Sequence, residues 1–361
     1  MRLAATLGDL GEQKIIELIL RPRYTTAEFR FGDDCASVRV PNGAAWLVTT
    51  TDPCPEPVAA LIGYLDPYFR GWLLATINLS DLAAAGAEPL GLLTSLVLPA
   101  DTAVDSFSRL LDGIDDCCAT AGTRVIGGNI KEGQKWELTA TAIGTCDTSP
   151  LSRSGAEPGD AVLVIGDMGS FWAGYFAKTR GLVLPSEHDD FVMANVLRPQ
   201  PKVAVGLAMR RANLVSACID NSDGLYTSLS SLARANGMGV RVDLSSISVP
   251  PPVAAVAELL DVSPERFALG WGDWQLICTT RSSNVEAVRA TCNEIGVPVT
   301  TIGEMVSGDS VQVTHLGRAG QLITLDSQRF TPDSWFTTGL DAYADRLLTG
   351  TIVNSPKTPK E

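Results

Sequence analysis

Carboxylate-bearing residues recur in four short segments of this sequence, each at or near the end of an apolar stretch. The segments are FGDD at 31–34, TTTD at 49–52, NLSD at 78–81 and DNSD at 220–223. Carboxylate and hydroxyl oxygens are the hard ligands that Mg²⁺ takes in proteins, together with water and substrate phosphates. Strand-to-turn positions are also where α/β proteins place functional groups. The segments therefore indicate a candidate site for Mg²⁺ and phosphate.

Asp81 is the most informative of these acids because it lies inside a predicted helix, among Leu79, Leu82 and several alanines. Burying a lone carboxylate is costly unless it is paired or bound to a metal. If Asp81 instead faces solvent, the metal interpretation loses its main support. Asp residues in turns, such as those of DNSDG, are by themselves most often turn formers. Residue chemistry alone leaves both interpretations open.

The bulk composition excludes several classes of protein. The chain has 361 residues and a formal net charge of -13, with 45% hydrophobic and 19% charged residues. A chain so acidic is a poor candidate for binding nucleic acid or an anionic membrane. Only two histidines are present, so a histidine-based zinc site or a Ser-His-Asp triad is improbable. Any catalysis is expected to depend on carboxylates, hydroxyls and metals.

We expect a cytoplasmic protein. The N-terminal residues do not form the apolar core of a signal peptide, and no apolar stretch reaches the length of a membrane span. The eight cysteines are scattered and contain no CxxC pair, which favours reduced core cysteines over a disulfide framework.

Hydrophobic periodicity predicts alternating strands and helices, so the expected fold class is α/β (α+β). The turn-rich segment LSRSGAEPGD, 151–160, is typical of a domain junction. We predict an N-terminal domain over 1–150, a C-terminal α/β domain over 151–346 and a polar, disordered tail over 347–361. The long predicted helix that contains Asp81 is expected to stop at Gly86, because glycine is the usual residue just after a helix end.

An ordered set of motifs resembles the thiamine-monophosphate kinase family over roughly residues 7–340. The motifs are FGDDCA, TTTD, NLSDLAAAGAEP, GGN, SRSGAEPGD, DNSDGL and GDWQL. The wider superfamily includes aminoimidazole ribonucleotide synthetase, selenophosphate synthetase and the hydrogenase-maturation ATPase. The ordered set is far more specific than any single member of it.

The resemblance implies a two-domain fold like that of aminoimidazole ribonucleotide synthetase, with an N-terminal sheet that pairs across a homodimer. It also implies an ATP- and Mg²⁺-dependent kinase that transfers the γ-phosphoryl group to thiamine monophosphate, in thiamine biosynthesis. The N-terminal domain would bind ATP and Mg²⁺ and form the dimer. By motif, the implied metal ligands are Asp34, Thr50, Thr51, Asp52, Asp81, Asp220 and Asp223. The implied nucleotide contacts are Gly128, Asn129, Arg153 and Ser222.

Three positions depart from the family pattern. Asn129 replaces the aspartate of GGD, Gly272 replaces a substrate-contacting glutamate, and Ala59 replaces a histidine on the substrate side. These departures leave a changed acceptor, a ligase-like activation by ATP and a non-catalytic nucleotide-binding homologue as alternatives. The aromatic residues Trp271, Trp274, Trp335 and Phe336 are either part of an acceptor pocket or part of the core.

Overall fold

The computed structural model describes residue 10 and residues 12–25, 32–41, 43, 45–316, 322–324 and 333–349. No helix within these ranges is long and apolar enough to cross a membrane. The predicted tail begins inside the last helix, which continues to Thr349, and its residues 350–361 lie outside the described ranges.

The first half of the chain forms a five-stranded sheet with the order β1-β2-β5-β3-β4. Only β3 and β4 run parallel, and the other neighbours are antiparallel. The strands are β1 (Ala36–Arg39), β2 (Trp46–Pro53), β3 (Glu88–Leu98), β4 (Val125–Glu132) and β5 (Glu137–Cys146). The helical segments are α1 (Glu12–Ile15), a π-helical turn (Ile16–Leu20), α2 (Arg21–Tyr24), α3 (Val58–Leu61), α4 (Pro67–Ala84) and α5 (Val104–Thr120).

The second half forms a seven-stranded sheet with the order β12-β11-β8-β10-β6-β9-β7. Its strands are β6 (Ala161–Ile165), β7 (Ala217–Asp220), β8 (Gly239–Asp243), β9 (Leu276–Thr280), β10 (Val299–Val306), β11 (Val311–Leu316) and β12 (Leu322–Thr324). Its α-helices are α6 (Ser170–Thr179), α7 (Ser186–Leu197), α8 (Val203–Arg211), α9 (Leu225–Asn236), α10 (Pro251–Leu259), α11 (Val285–Ile295) and α12 (Asp333–Thr349), the last with a kink at Gly339. Short 3-10 helices cover Leu244–Ser246, Pro264–Leu269 and Ser282–Asn284.

Helix α4 begins and ends as its sequence predicts. Asp66 caps the N-terminus by accepting a hydrogen bond from the Tyr68 amide at 3.0 Å, and Pro67 occupies the first helical position. At the other end Gly86 takes a φ of 62°, and the Ala87 amide donates to the Leu82 carbonyl at 2.9 Å. A glycine in this left-handed conformation is the usual way to stop a helix.

Helix α4 is a central, buried element because small residues let its neighbours approach closely. A side-chain carbon at Gly71 would lie 1.9 Å from the Leu110 carbonyl oxygen of α5, and one at Gly113 would lie 2.0 Å from the Tyr68 oxygen. On another side, a side-chain carbon at Gly206 of α8 would lie 1.9 Å from the Ala83 oxygen. The two-domain α/β class predicted from the sequence is confirmed. The sheets are joined by residues 147–160, and the predicted domain limits stay a prediction.

Candidate functional site

One stripe of α4 forms a wall of a large cavity. Phe69, Leu73, Ile77 and Asp81 succeed one another at a spacing of four residues, which places them on the same face of the helix, and all four line the cavity. The cavity has a volume of about 1090 Å³ and is lined by residues from both halves of the chain. Along this stripe it passes from an apolar end at Phe69 to an acidic end at Asp81.

Three carboxylates meet at the acidic end of the cavity. Asp34, Asp81 and Asp220 each place one carboxylate oxygen so that the three oxygens lie within 4.8 Å of one another. Asp34 comes from the segment before β1, Asp81 from α4 and Asp220 from the end of β7, so the cluster joins the two halves of the chain. The three motifs that carry these residues are therefore parts of one site, although they are up to 186 positions apart in the sequence (220 − 34).

Hydroxyl groups hold two of these carboxylates in place. Thr50 Oγ1 donates to Asp81 Oδ2 at 2.6 Å. Ser80 Oγ donates to Asp220 Oδ2 at 2.7 Å, and Ser222 Oγ donates to Asp220 Oδ1 at 3.1 Å. Since each carboxylate oxygen can accept more than one hydrogen bond, these contacts fix the orientation of the carboxylates and leave capacity for a further ligand.

The cluster accumulates negative charge in a place with little access to water, where Asp220 is buried and Asp34 and Asp81 are half-buried. Burial, followed by the charges of Asp220, Asp34 and Asp52, raises the pKa of Asp81 well above its usual range, against the effect of the Thr50 hydrogen bond. Burial and the charge of Asp34 raise the pKa of Asp220 to about 7, although the Ser80 hydrogen bond lowers it. Carboxylates in this situation gain stability from a bound cation, because it offsets both their repulsion and their lost hydration.

The donor set fits Mg²⁺. All of the converging atoms are carboxylate oxygens, the ligand type that this ion prefers, and they are close enough to share one ion or a pair of ions. Asp81 also lies in the last turn of α4, where the carbonyl ends of the helix disfavour an anion, and that turn contains no basic residue. The carboxylate donor set and the position of Asp81 at the end of the helix therefore both favour a bound cation beside Asp81.

Arg153 is the positive side chain that contacts the cluster. Its Nε donates to Asp34 Oδ1 at 3.2 Å, its Nη2 forms an ion pair with the same oxygen, and its Nη1 donates to the Gly32 carbonyl at 3.1 Å. Its backbone amide donates to Asp33 Oδ1 at 2.9 Å. Asn236 Nδ2 in turn donates to the Arg153 carbonyl at 2.9 Å. The guanidinium therefore stands at the acidic end, where it can contact bound phosphates.

The other implied metal ligands lie around the same end of the cavity. Asp52 and Asp223 line the cavity, and the Asp52 amide donates to Asn78 Oδ1 of α4 at 3.1 Å. Thr51 is exposed at the rim, and its hydroxyl lies 2.7 Å from Thr141 Oγ1. The roles of all seven implied residues as metal ligands stay predictions.

The GGN segment is placed differently from the rest. Gly128 and Asn129 lie within β4, which continues to Glu132. The sheet register runs from Asp52 through Ala140 and Thr94 to Gly128, so Gly128 is three strands from Asp52. At the usual spacing between strands this is about 14 Å. The structure therefore does not bring Gly128 and Asn129 to the carboxylate cluster, and their contact with a nucleotide stays a prediction.

Two buried polar residues of α4 were not singled out from the sequence. Ser80 orients Asp220, and Asn78 holds the backbone of Asp52 while its own amide donates to the Leu74 carbonyl at 3.0 Å. Both residues are inaccessible to solvent. The sequence does indicate such roles for Asn78 and Ser80, because the motif NLSD places two small polar side chains in an apolar helix, where each needs a hydrogen-bond partner.

The positions that depart from the family pattern have clear locations. Ala59 is buried in α3, beside the cavity wall formed by Pro57 and Val58. Gly272 has a φ of 95°, and its amide donates to the Ser222 carbonyl at 2.9 Å. Trp271 and Trp274 line the cavity. The side chains of Trp335 and Phe336 lie outside what the structure describes.

Comparison with known proteins agrees with this architecture. Residues 32–146 match the model of the AIR synthase related protein N-terminal domain, and residues 157–316 match that of the C-terminal domain. A thiamine-monophosphate kinase of Salmonella typhimurium is 33% identical over 319 residues, which cover 85% of this chain and 92% of that protein. One from Methanopyrus kandleri is 30% identical over 314 residues, with coverage of 85% and 94%.

Among solved structures, that of AaThiL complexed with AMPPCP and TMP matches with a TM-score of 0.76 and 27% identity, over 86% of this chain and 96% of that one. The two family-model matches extend over β1 to β5 of the first sheet and β6 to β11 of the second. The chain belongs to the family of AIR synthase related proteins, in the branch that contains the thiamine-monophosphate kinases.

Proposed function

We propose that this protein is a thiamine-monophosphate kinase that transfers the γ-phosphoryl group of ATP to thiamine monophosphate with the help of Mg²⁺. The convergence of Asp34, Asp81 and Asp220 at one end of a cavity is the observation that carries the proposal. Phosphoryl transfer demands charge neutralisation and alignment more than covalent chemistry by the protein. The same activity is named for relatives that this chain matches over most of its length.

The residues of the site have separable roles in this proposal. The carboxylates of Asp34, Asp52, Asp81, Asp220 and Asp223, with Thr50 and Thr51, hold Mg²⁺. The bound ion would neutralise the negative charges of the phosphates. Thr50 and Ser80 keep two of the carboxylates oriented through hydrogen bonds of 2.6 and 2.7 Å.

Arg153 and Ser222 bind the nucleotide phosphates. To do so, Arg153 exchanges at least part of its contact with Asp34 for a contact with a phosphate oxygen. Its planar guanidinium suits such a bidentate contact. Gly128 and Asn129 contact the nucleotide from β4. Because Asn129 keeps an oxygen ligand without a negative charge, we expect one of the metal ions to be held less tightly than an aspartate would hold it.

A different acceptor is the second candidate function, and Gly272 and Ala59 favour it. Neither residue offers a polar side chain at the positions where the family resemblance implies substrate contacts. A ligase-like use of ATP and a non-catalytic nucleotide-binding homologue are the remaining alternatives, the latter favoured by Asn129. The proposed kinase, the non-catalytic homologue and the two remaining alternatives taken together predict three different product patterns.

We further propose a homodimer formed through the first sheet. Val38, Leu47 and Leu93 lie on β1, β2 and β3, and their exposed fractions are 43%, 41% and 37%. On β2, Leu47 stands on the opposite face of the sheet from Val48, and Val48 is buried against the core that contains α4. A second copy that covers this face would remove these side chains from water. A homodimer is also what the family resemblance implies.

A cytoplasmic location is supported by the state of the cysteines. All eight are free thiols, and six of them are buried. Buried reduced cysteines in a protein of this size are typical of a reducing compartment.

The decisive experiment follows ADP and thiamine diphosphate separately, with purified protein, ATP and Mg²⁺, in the presence and absence of thiamine monophosphate. Formation of thiamine diphosphate together with ADP supports the proposed kinase. ADP without thiamine diphosphate would replace it with another acceptor or a ligase-like reaction. Binding of ATP without either product would indicate a non-catalytic homologue.

A further inference from the structure

The lining of the cavity includes Trp271, an aromatic side chain that is partly exposed and held among other aromatic rings. Trp271 packs against Phe171, Trp172 and Tyr343, with ring centroids 5.4, 5.3 and 6.2 Å away. Those three neighbours are at least 95% buried, whereas Trp271 keeps part of its surface on the cavity wall. Its ring therefore offers a preformed apolar surface to whatever enters the cavity.

Backbone contacts fix the distance between Trp271 and the acidic end. The Gly272 amide donates to the Ser222 carbonyl at 2.9 Å, and the Asn221 amide donates to the Gln275 carbonyl at 2.7 Å. The Trp271 carbonyl also accepts a hydrogen bond of 2.7 Å from Trp172 Nε1. The segment that carries Trp271 is thus tied directly to the segment that carries Asp220, Ser222 and Asp223.

Gly272 is required for this arrangement. A side-chain carbon at that position would lie 3.1 Å from the Phe171 ring, and its φ of 95° is one that other residues rarely adopt. A larger residue would displace either the Phe171 ring or the backbone that ties Trp271 to Ser222. With glycine at this position, the aromatic wall beside Trp271 stays undisturbed, and no charged side chain is present at this point.

We propose that Trp271 is the specificity-determining residue for the acceptor, and that the acceptor's planar heteroaromatic ring stacks on it while its phosphate reaches the carboxylate end. The lining of the same cavity also includes the apolar side chains of Phe69, Leu73 and Ile77 along one face of α4. Stacking is suited to such a place because it needs a rigid flat surface and no charged partner. The inference rests on the proposed phosphoryl transfer and names the residue that selects its acceptor.

The test measures binding without turnover. Thiamine monophosphate and Mg²⁺-AMPPCP are titrated separately into the full-length protein by calorimetry, for the wild type, Trp271→Ala and Trp271→Phe. Trp46→Phe, which changes a tryptophan outside the cavity lining, is the matched control. Quenching of tryptophan fluorescence by thiamine monophosphate is recorded on the same proteins, since it reports a ring stacked on an indole.

We expect Trp271→Ala to weaken binding of thiamine monophosphate by about 5- to 150-fold, because removing an aromatic partner from a stacked ring costs ~1–3 kcal/mol. Trp271→Phe should retain most of the affinity and lose much of the quenching. AMPPCP binding should change by less than about twofold in both variants, and the control should behave as the wild type. Ethyl phosphate, which has no ring, should bind equally to the wild type and to Trp271→Ala.

Two outcomes would overturn the inference while leaving the proposed function intact. One is unchanged affinity for thiamine monophosphate in a folded Trp271→Ala protein. The other is a parallel loss of thiamine monophosphate and AMPPCP binding in both variants, which would indicate that Trp271 only maintains the fold. If the wild type binds AMPPCP but not thiamine monophosphate, the proposed acceptor is wrong, and the inference fails with it.

Discussion

Ser80 donates a hydrogen bond from its hydroxyl to Asp220 Oδ2 at 2.7 Å, and this buried contact connects α4 to β7. The two residues are 140 positions apart in the sequence. One belongs to the half of the chain with the five-stranded sheet and the other to the half with the seven-stranded sheet. The contact therefore sets the position of one carboxylate of the cluster relative to another, because Asp81 is the next residue after Ser80.

Replacing Ser80 tests this connection. We expect Ser80→Ala to lower the free energy of unfolding by about 1–3 kcal/mol, since it removes the hydroxyl that donates to Oδ2 of the buried Asp220. The pKa of Asp220 should rise further, because the Ser80 hydrogen bond lowers it. Urea unfolding monitored by circular dichroism measures the effect. Ser222→Ala is the comparison, and it should cost less because Ser222 is partly exposed and water can replace its hydroxyl. Equal costs for both variants would contradict a special role for Ser80.

Replacing Asp81 separates a metal ligand from a structural residue. We expect Asp81→Asn to reduce Mg²⁺-dependent ATP turnover by about 100-fold or more, as is typical when an electrostatic contact to the transition state is removed. The fold should persist or gain stability in the absence of Mg²⁺. The reason is that an amide can still accept the Thr50 hydrogen bond but does not repel Asp34 and Asp220.

Asp105→Asn, a change on the exposed surface of α5, is the control for Asp81→Asn. Steady-state kinetics and thermal melting of both variants supply the comparison. An Asp81→Asn protein that unfolds while it keeps its Mg²⁺ affinity would show that Asp81 is structural.

The raised pKa values predict how stability depends on pH. An unfolded aspartate titrates near 4, whereas the pKa of Asp220 in the folded protein is about 7. The folded state thus holds this proton more tightly, so its contribution to stability is greatest below about pH 4 and is lost as the pH rises to about 7. The raised pKa of Asp81 acts in the same direction.

Without Mg²⁺, the titration of Asp220 should therefore lower stability by on the order of 2–3 kcal/mol between pH 5 and pH 8, and Asp81 should add to this loss. Mg²⁺ should raise the melting temperature more at pH 8 than at pH 5, because it binds the deprotonated carboxylates. Thermal melts with Mg²⁺ and with a chelator, at both pH values, measure the two effects. A Mg²⁺ shift of the same size at both values would count against binding at the cluster.

Restoring an acid at position 129 tests the GGN segment. We expect Asn129→Asp to tighten the apparent affinity for Mg²⁺ during ATP turnover by roughly 3- to 10-fold, because it would add a charged oxygen ligand for an ion on the nucleotide phosphates, away from the carboxylate cluster. The Mg²⁺ dependence of ADP formation is the measurement. Asn129→Ala should move the affinity in the opposite direction. Unchanged affinity in both variants would mean that β4 does not contribute to the site.

A charge on the exposed face of the first sheet tests the dimer. We expect Leu47→Lys to convert a dimer into a monomer, since a lysine at the centre of an apolar interface would lose its hydration without gaining a partner. Light scattering after gel filtration gives the mass in solution. Leu259→Lys replaces another exposed leucine, on α10, and should not change the mass. A wild-type protein that is already monomeric would contradict the proposed assembly.

The sequence by itself determined the elements and the chemistry of the site. The strands that precede or contain TTTD, GGN and DNSDG, and the helix that ends at Gly86, follow from local periodicity and from glycine's preference for positive φ. Asp81 could be singled out because a carboxylate in an apolar helix needs a partner wherever that helix packs. The family could be recognised because its motifs occur in a fixed order.

Only the tertiary structure decided which of these residues meet. Asp34, Asp81 and Asp220 converge because α4 lies between the two sheets, and long-range packing of that kind leaves no trace in local residue spacing. The same packing places Arg153 on Asp34, Ser80 on Asp220 and Trp271 on the cavity wall. It also leaves Asn129 three strands from Asp52, because strand order, rather than the motif, sets the distance between them.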